Sequence, residues 1–182
     1  MEHRDTGRVH NKLINRIERL EKQQAFQRER FLRFKLPEIH RKLSQTLLME
    51  KIIESENPAA VSEAVLKGLK KALNSSEFDH NYFVAPIRDL VKRPNPYSLY
   101  MTQYIMEIII NDPNVIDIYG TDLEIYRTVN GVFSQVEIQF DRAEEEVKAQ
   151  LDRNKSLVPG SREYEIELDL MIRRKIGEPQ KQ

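Results

Sequence analysis

A slide of 63 positions brings this chain into partial register with itself. Gly68 then falls on Gly131, Leu36 on Leu99, Leu43 on Met106, Leu47 on Ile110, Ile52 on Val115 and Ile53 on Ile116. The same slide lays Leu66 on Val129, Leu69 on Val132 and Leu73 on Val136. Self-similarity of this length marks a duplicated supersecondary unit, and it constrains the fold before any chemistry is sought. The repeat is degenerate, since Ile39 lands on Thr102 and Val65 on Thr128, and in a chain that is 40% hydrophobic some matches arise by chance. The period predicts an all-α chain. Its expected parts are a basic helical arm over 1–35, a first helical repeat over 36–93 and a second over 97–177 with a closing C-terminal helix.

At 182 residues the chain can form one domain or two small ones, and a compact chain of this size buries about 70% of its unfolded surface. It has no cysteine, which excludes disulfides, thiolate metal sites and a cysteine nucleophile. The charged start Met1-Glu2-His3-Arg4-Asp5 does not read as a secretory signal, and the longest apolar cluster, Ile108-Ile109-Ile110, is far short of a membrane span. A soluble, cytoplasmic protein without membrane partners is expected. Charge is polarised: residues 1–35 carry net +5, residues 36–96 net +1 and residues 97–182 net −6. Such a division suits a basic arm that meets an acidic partner, or the chain's own acidic half.

Residues 8–35 lack Gly and Pro, and Leu13, Ile17, Leu20, Gln24, Gln27, Phe31 and Phe34 follow the four-three spacing of a heptad seam. The segment reads either as a self-associating helix or as an amphipathic helix docked on its own domain. A second helix is expected over 36–55, with Pro37 at its first turn or marking a break. Asn57-Pro58 starts another, lined by Val61, Val65, Leu66, Leu69 and Leu73, and a shorter one is expected over 79–92. Arg93-Pro94-Asn95-Pro96 is the linker, after which Tyr97–Ile110 resumes helix and Val115–Gly120 forms an extended or 3₁₀ connector. Residues 121–140 admit two readings. Thr121-Asp122-Leu123-Glu124 has capping-box spacing, whereas Asn130-Gly131 between apolar runs is a hairpin signal. The helical reading is preferred, because the matching segment after Pro58 reads as helix. Polar helix continues over 141–155, and the last helix starts at Ser161 and ends with Arg173-Arg174-Lys175 before Gly177.

The stretch from about Leu99 to Gly177, above all Val158-Pro159-Gly160-Ser161-Arg162-Glu163-Tyr164, resembles a small bacterial family catalogued as domain of unknown function 507. Tyr164 stands where Trp is more usual in that family. The resemblance covers under half the chain, and only the closing motif is specific. It implies a helical fold with 36–96 as a more degenerate copy, and it brings no activity, cofactor or catalytic residue.

Candidate chemistry is sparse. His3, His10, His40 and His80 are scattered without metal-binding spacing. Asp112, Asp117 and Asp122 recur every five residues, but a calcium loop from Asp112 would need Gly where Asp117 stands. Glu144-Glu145-Glu146 and Glu163, Glu165, Glu167 and Asp169 read as solvated helix faces rather than an acid–base pair. Ser161 lacks a nucleophile-elbow context. No catalytic, cofactor-binding or metal residues are assigned, and no cofactor is expected. The interaction candidates are Leu13, Ile17 and Leu20 on the seam, Arg28, Arg30 and Arg33 among the basic residues, and the stripe Tyr97, Tyr100 and Tyr104. The expected function is a non-enzymatic helical protein–protein interaction or scaffold role, with self-association through the N-terminal helix open. The alternative is a nucleic-acid- or ribosome-associated protein whose basic arm neutralises phosphates.

Overall fold

The computed structural model describes residues 6–74 and 90–177, with side chains described except at 6–13, 18–29 and 96. The expected helix over 79–92 falls mostly outside the described residues. The chain is mainly helical. Its order is α1 (Thr6–Met49), β1 (Ile53–Ser55), α2 (Pro58–Leu73), α3 (Pro96–Ile110), β2 (Val115–Ile118), α4 (Asp122–Leu151) and α5 (Arg162–Ile176). It gathers into two compact units, one joining Met1–Leu36 to Gln139–Gln182 and the other comprising Pro37–Ile138. The segments 36–93 and 97–177 do not divide as the repeat suggests: β1 pairs with β2, α2 packs on α3, and residues 139–177 group with the start of α1.

In the unit Pro37–Ile138, each helix end has a local cause. The last turn of α1 closes in a Schellman arrangement, with the Ile52 N–H donating to the Leu47 carbonyl and the Lys51 N–H to the Leu48 carbonyl. Lys51 occupies the left-handed position (φ 55°) where glycine is usual. This turn ends α1 at Met49, so residues 53–55, expected as helix, are strand. The Asn57 side chain caps α2 by accepting from the Ala60 N–H, and Asn95 caps α3 by accepting from the Tyr97 and Ser98 N–H groups. Thr121 and Glu124 form the reciprocal capping box: the Thr121 N–H donates to the Glu124 carboxylate, and the Glu124 N–H donates to Thr121 Oγ1.

The 115–120 connector contains a true strand. β1 and β2 run antiparallel, with Ile53 opposite Ile118, Glu54 opposite Asp117 and Ser55 opposite Val115, and the register shifts between Glu54 and Ser55. The inward Ile53 is buried while Ile116 is 57% exposed, and likewise Leu47 is buried while Ile110 is 64% exposed. The 63-residue slide therefore pairs unlike positions at these points. Burial matches at other offsets. Ile39, Leu43 and Leu47 of α1 correspond to Met101, Ile105 and Ile109 of α3, 62 residues on. Val61, Val65, Gly68, Leu69 and Ala72 of α2 correspond to Ile125, Val129, Val132, Phe133 and Val136 of α4, 64 residues on.

Two sequence signals for breaks do not break the helices. Pro37 lies inside α1, where a missing N–H and a ring clash cost about 3 kcal/mol, offset by the buried neighbours Phe34, Leu36 and Ile39. Gly131 lies inside α4, so the helical reading of 121–140 holds. The continuous buried stripe from Ile125 to Val136 outweighs the turn propensity of Asn130-Gly131, and the Asn130 side chain instead accepts from the Ser98 hydroxyl at 2.9 Å.

In the other unit, Phe31 and Phe34 pack on Phe140, with ring centroids 5.4 Å and 6.2 Å apart. Val147 and Leu151 of α4 and Tyr164, Leu168 and Ile172 of α5 complete its described core. Ser161 caps α5 by accepting from the Tyr164 N–H at 3.2 Å, acidic Glu163 and Glu165 fill its first turn, and Arg173, Arg174 and Lys175 fill its last.

Gly68 and Gly131, both inside helices, behave oppositely. A Cβ on Gly68 would sit 2.7 Å from the Ile105 Cα, whereas one on Gly131 would meet nothing within 4 Å. Gly68→Ala is expected to destabilise by about 1–3 kcal/mol through forced separation of α2 and α3. Gly131→Ala should stabilise by about 0.5–1 kcal/mol through helix propensity alone. Urea unfolding midpoints of the two variants should thus move in opposite directions.

Candidate functional site

The strongest concentration of charge is buried, and it lies in the unit built from the ends of the chain. Arg30 on α1 is 4% exposed and binds three carboxylates from two other helices. Its Nη1 donates to Glu144 of α4 at 2.5 Å, its Nε to Asp169 of α5 at 2.8 Å, and its Nη2 to Glu165 of α5. Arg33, one turn on, donates to the other oxygen of Asp169, and Lys148 lies 3.5 Å from Glu144. Burial alone would lower the Arg30 pKa, but the bond to Asp169 and the charges of Glu165 and Glu144 outweigh it and raise the value. Three cations face three carboxylates, so the centre is neutral as a group.

This geometry corrects the reading of Glu144 as a solvated side chain. Glu145 and Glu146 do face outward, but Glu144 is 1% exposed. It occupies the apolar stripe of α4, four residues after Phe140 and three before Val147, which turns it inward. On α5, Glu165 and Asp169 flank the buried Leu168 and lie on the edge of the same face. Each of the three carboxylates is engaged with a cation, and together they tie α1 to α4 and α5.

The other interaction candidates are dispersed. Ile17 is 54% exposed and Ile14 40%, while the side chains of Leu13, Leu20 and Arg28 lie outside the described residues. Arg30 and Arg33 are held by carboxylates, and only Arg33 remains substantially exposed. Tyr104 is buried in the unit Pro37–Ile138 with the Lys71 ammonium over its ring at 5.4 Å. Tyr97 stacks on Phe133 at 6.2 Å and meets Tyr100 edge-on, so the stripe serves core packing. His40 bridges α1 to α2 through the carbonyl and hydroxyl of Ser62, at 2.7 Å and 3.0 Å. Among the described residues no group of histidine and carboxylate side chains could hold a metal ion.

One cleft of about 430 Å³ opens in the unit Pro37–Ile138, between the turn after α1 and the start of α4. Lys51 and Arg127 alternate there with Glu50 and Glu124, so no single charge sign dominates. Glu124 is committed to the capping box: the backbone bond from Thr121, then the bond from its hydroxyl, holds its carboxyl below the usual range. Tyr119 on the cleft wall donates to Glu54, which raises its phenol pKa.

Arg30→Ala is expected to destabilise by about 3–5 kcal/mol, because it leaves Glu144 buried with only the longer contact to Lys148. Arg30→Met combined with Glu144→Leu should recover most of that loss, as read by thermal unfolding. A second expectation concerns alkaline pH. Burial, and then the negative charge of Asp152 and the 3.2 Å bond to it, push the Tyr164 pKa up from 10.0 to about 12. The fold favours the protonated phenol, so its stabilisation is intact below pH 10 and is lost as pH rises from 10 to about 12. Asp152→Asn should bring Tyr164 ionisation, followed by phenolate absorbance, to lower pH.

Comparison of the chain with family models, with curated proteins and with solved structures finds no match to any of them.

Proposed function

We propose that this chain is a non-enzymatic helical interaction protein that docks through the start of α1. The observation carrying the reading is the exposure of Ile17, with Ile14 beside it, on a helix that buries Phe31 and Phe34 along the same heptad seam as Ile17. Arg30 bonds to Glu144 while Phe34 packs on Phe140, so α4 advances by four as α1 retreats by four and the two run antiparallel. α4 ends at Leu151, seven residues past Glu144, and its end therefore lies opposite about residue 23 of α1. α5 runs parallel to α1, since Arg30 holds Glu165 and Arg33 holds Asp169, and it starts only at Arg162. Residues 14–17 thus extend past the end of α4 and the start of α5.

The two helix–strand–helix segments, from α1 through α2 and from α3 through α4, are diverged copies in this reading. Their matched burial at offsets of 62 and 64, with residues added between strand and second helix, supports duplication better than one fixed period does. The Pro159-Gly160-Ser161-Arg162-Glu163 helix start supports membership of the bacterial family of domain of unknown function 507, and with it a cytoplasmic setting. The nucleic-acid alternative rests on Arg8, Lys12, Arg16, Arg19 and Lys22, because Arg30 and Arg33 are already taken up by carboxylates. No helix among the described residues is long and apolar enough to cross a membrane.

Affinity purification from the native host, with and without nuclease, separates the two classes. The full chain should retain the same protein partners after nuclease, and Ile14→Glu with Ile17→Glu should lose them while the melting temperature stays near that of the parent. Exposed substitutions of this kind change stability by about 0.5 kcal/mol or less. Partners that vanish with nuclease, or that persist in the double variant, would overturn the reading.

A further inference from the structure

We infer that the chain assembles head to tail, the start of α1 in one copy docking on the acidic surface around β2 in another. The inference rests on the interaction reading above and names its partner. The docking segment, residues 6–22, carries Arg8, Lys12, Arg16, Arg19 and Lys22 against Glu18 and Glu21, a net charge of +3. Its described apolar side chains, Ile14 and Ile17, are exposed. The complementary feature lies in the unit Pro37–Ile138. Residues 110–124 hold four carboxylates, Asp112, Asp117, Asp122 and Glu124, and no cation. The same stretch exposes Ile110, Ile116 and Tyr119 by 64%, 57% and 61%.

Each surface therefore offers exposed apolar area among charges of one net sign, +3 over residues 6–22 and −4 over residues 110–124, with Lys51 and Arg127 confined to the cleft beside Tyr119. Two docking segments paired with each other would instead bring +3 against +3, which disfavours self-pairing of the arms. A nucleic acid would satisfy the charges but leave Ile14 and Ile17 without apolar cover. The cross-strand neighbours Glu54 and Asp117 are like charges directly opposed, an arrangement that costs stability in the isolated chain and is relieved when cations approach. Because the two surfaces differ, the contact is heterologous, and every copy keeps one free segment and one free surface for a further copy.

Sedimentation velocity of the full chain across a range of concentrations tests this with two variants. Ile14→Glu/Ile17→Glu removes the docking segment, and Ile110→Lys/Ile116→Lys removes the surface; all four positions are exposed, so helical content by circular dichroism should be unchanged. The parent should form concentration-dependent oligomers whose association weakens roughly tenfold or more between low and high salt. Each variant alone should be monomeric, and their mixture should form a 1:1 dimer that grows no further, since one intact segment meets one intact surface. A monomeric parent, a monomeric mixture, or oligomers lost in the first variant but kept in the second would each overturn head-to-tail assembly. A monomeric parent that still captures nuclease-resistant partners through Ile14 and Ile17 would leave the interaction reading standing and remove this one alone.

Discussion

A guanidinium removed from water organises the unit formed by the two ends of the chain. Arg30 has a planar fork of donors, and Glu144, Glu165 and Asp169 approach it from two helices that α1 could otherwise meet in several registers. Apolar packing of Phe31 and Phe34 on Phe140 supplies the driving force but tolerates sliding. The fork does not. Sliding α1 along α4 would leave Glu144, which is 1% exposed, without the Arg30 guanidinium, so the ion centre selects one arrangement among those that burial alone would allow.

The other unit reaches specificity by different means. Its helices are set by end chemistry: Asn57 and Asn95 as side-chain caps, the Thr121–Glu124 box, and the Schellman turn closed by Lys51. Gly68 then lets α2 approach α3 to a distance that any side chain would prevent. Polar groups in the interior are each answered, as His40 is by Ser62 and Ser98 by Asn130. Tyr104 is buried in this packing, and Tyr97 joins it by stacking on Phe133.

Much of the fold was legible because its signals were local. The Asn-Pro starts, the Ser161 cap and the dipole-matched ends of α5 lie where their residues act. What was not legible depended on separation. The 63-residue slide pairs unlike positions such as Leu47 with Ile110, whereas buried positions match at 62 between α1 and α3 and at 64 between α2 and α4. Glu144 was misread from its neighbours in sequence, although its place between Phe140 and Val147 at helical spacing was itself a signal of inward orientation. Its partner, 114 residues away, could not be inferred from one sequence. At Pro37 and Asn130-Gly131 the local signals admit a break, and buried residues on both sides of each carry the helices through.

The pairing of β1 with β2 bears on how the molecule reaches its native state. The two strands are three and four residues long, and they close a loop of about 65 residues between Ile53 and Ile118. So few ladder bonds cannot repay that closure by themselves, and the ribbon becomes favourable only once α2 and α3 are already in contact. The loop-closure cost thus makes the ribbon depend on the helices, so that loosening the α2–α3 contact is expected to release the strands with it.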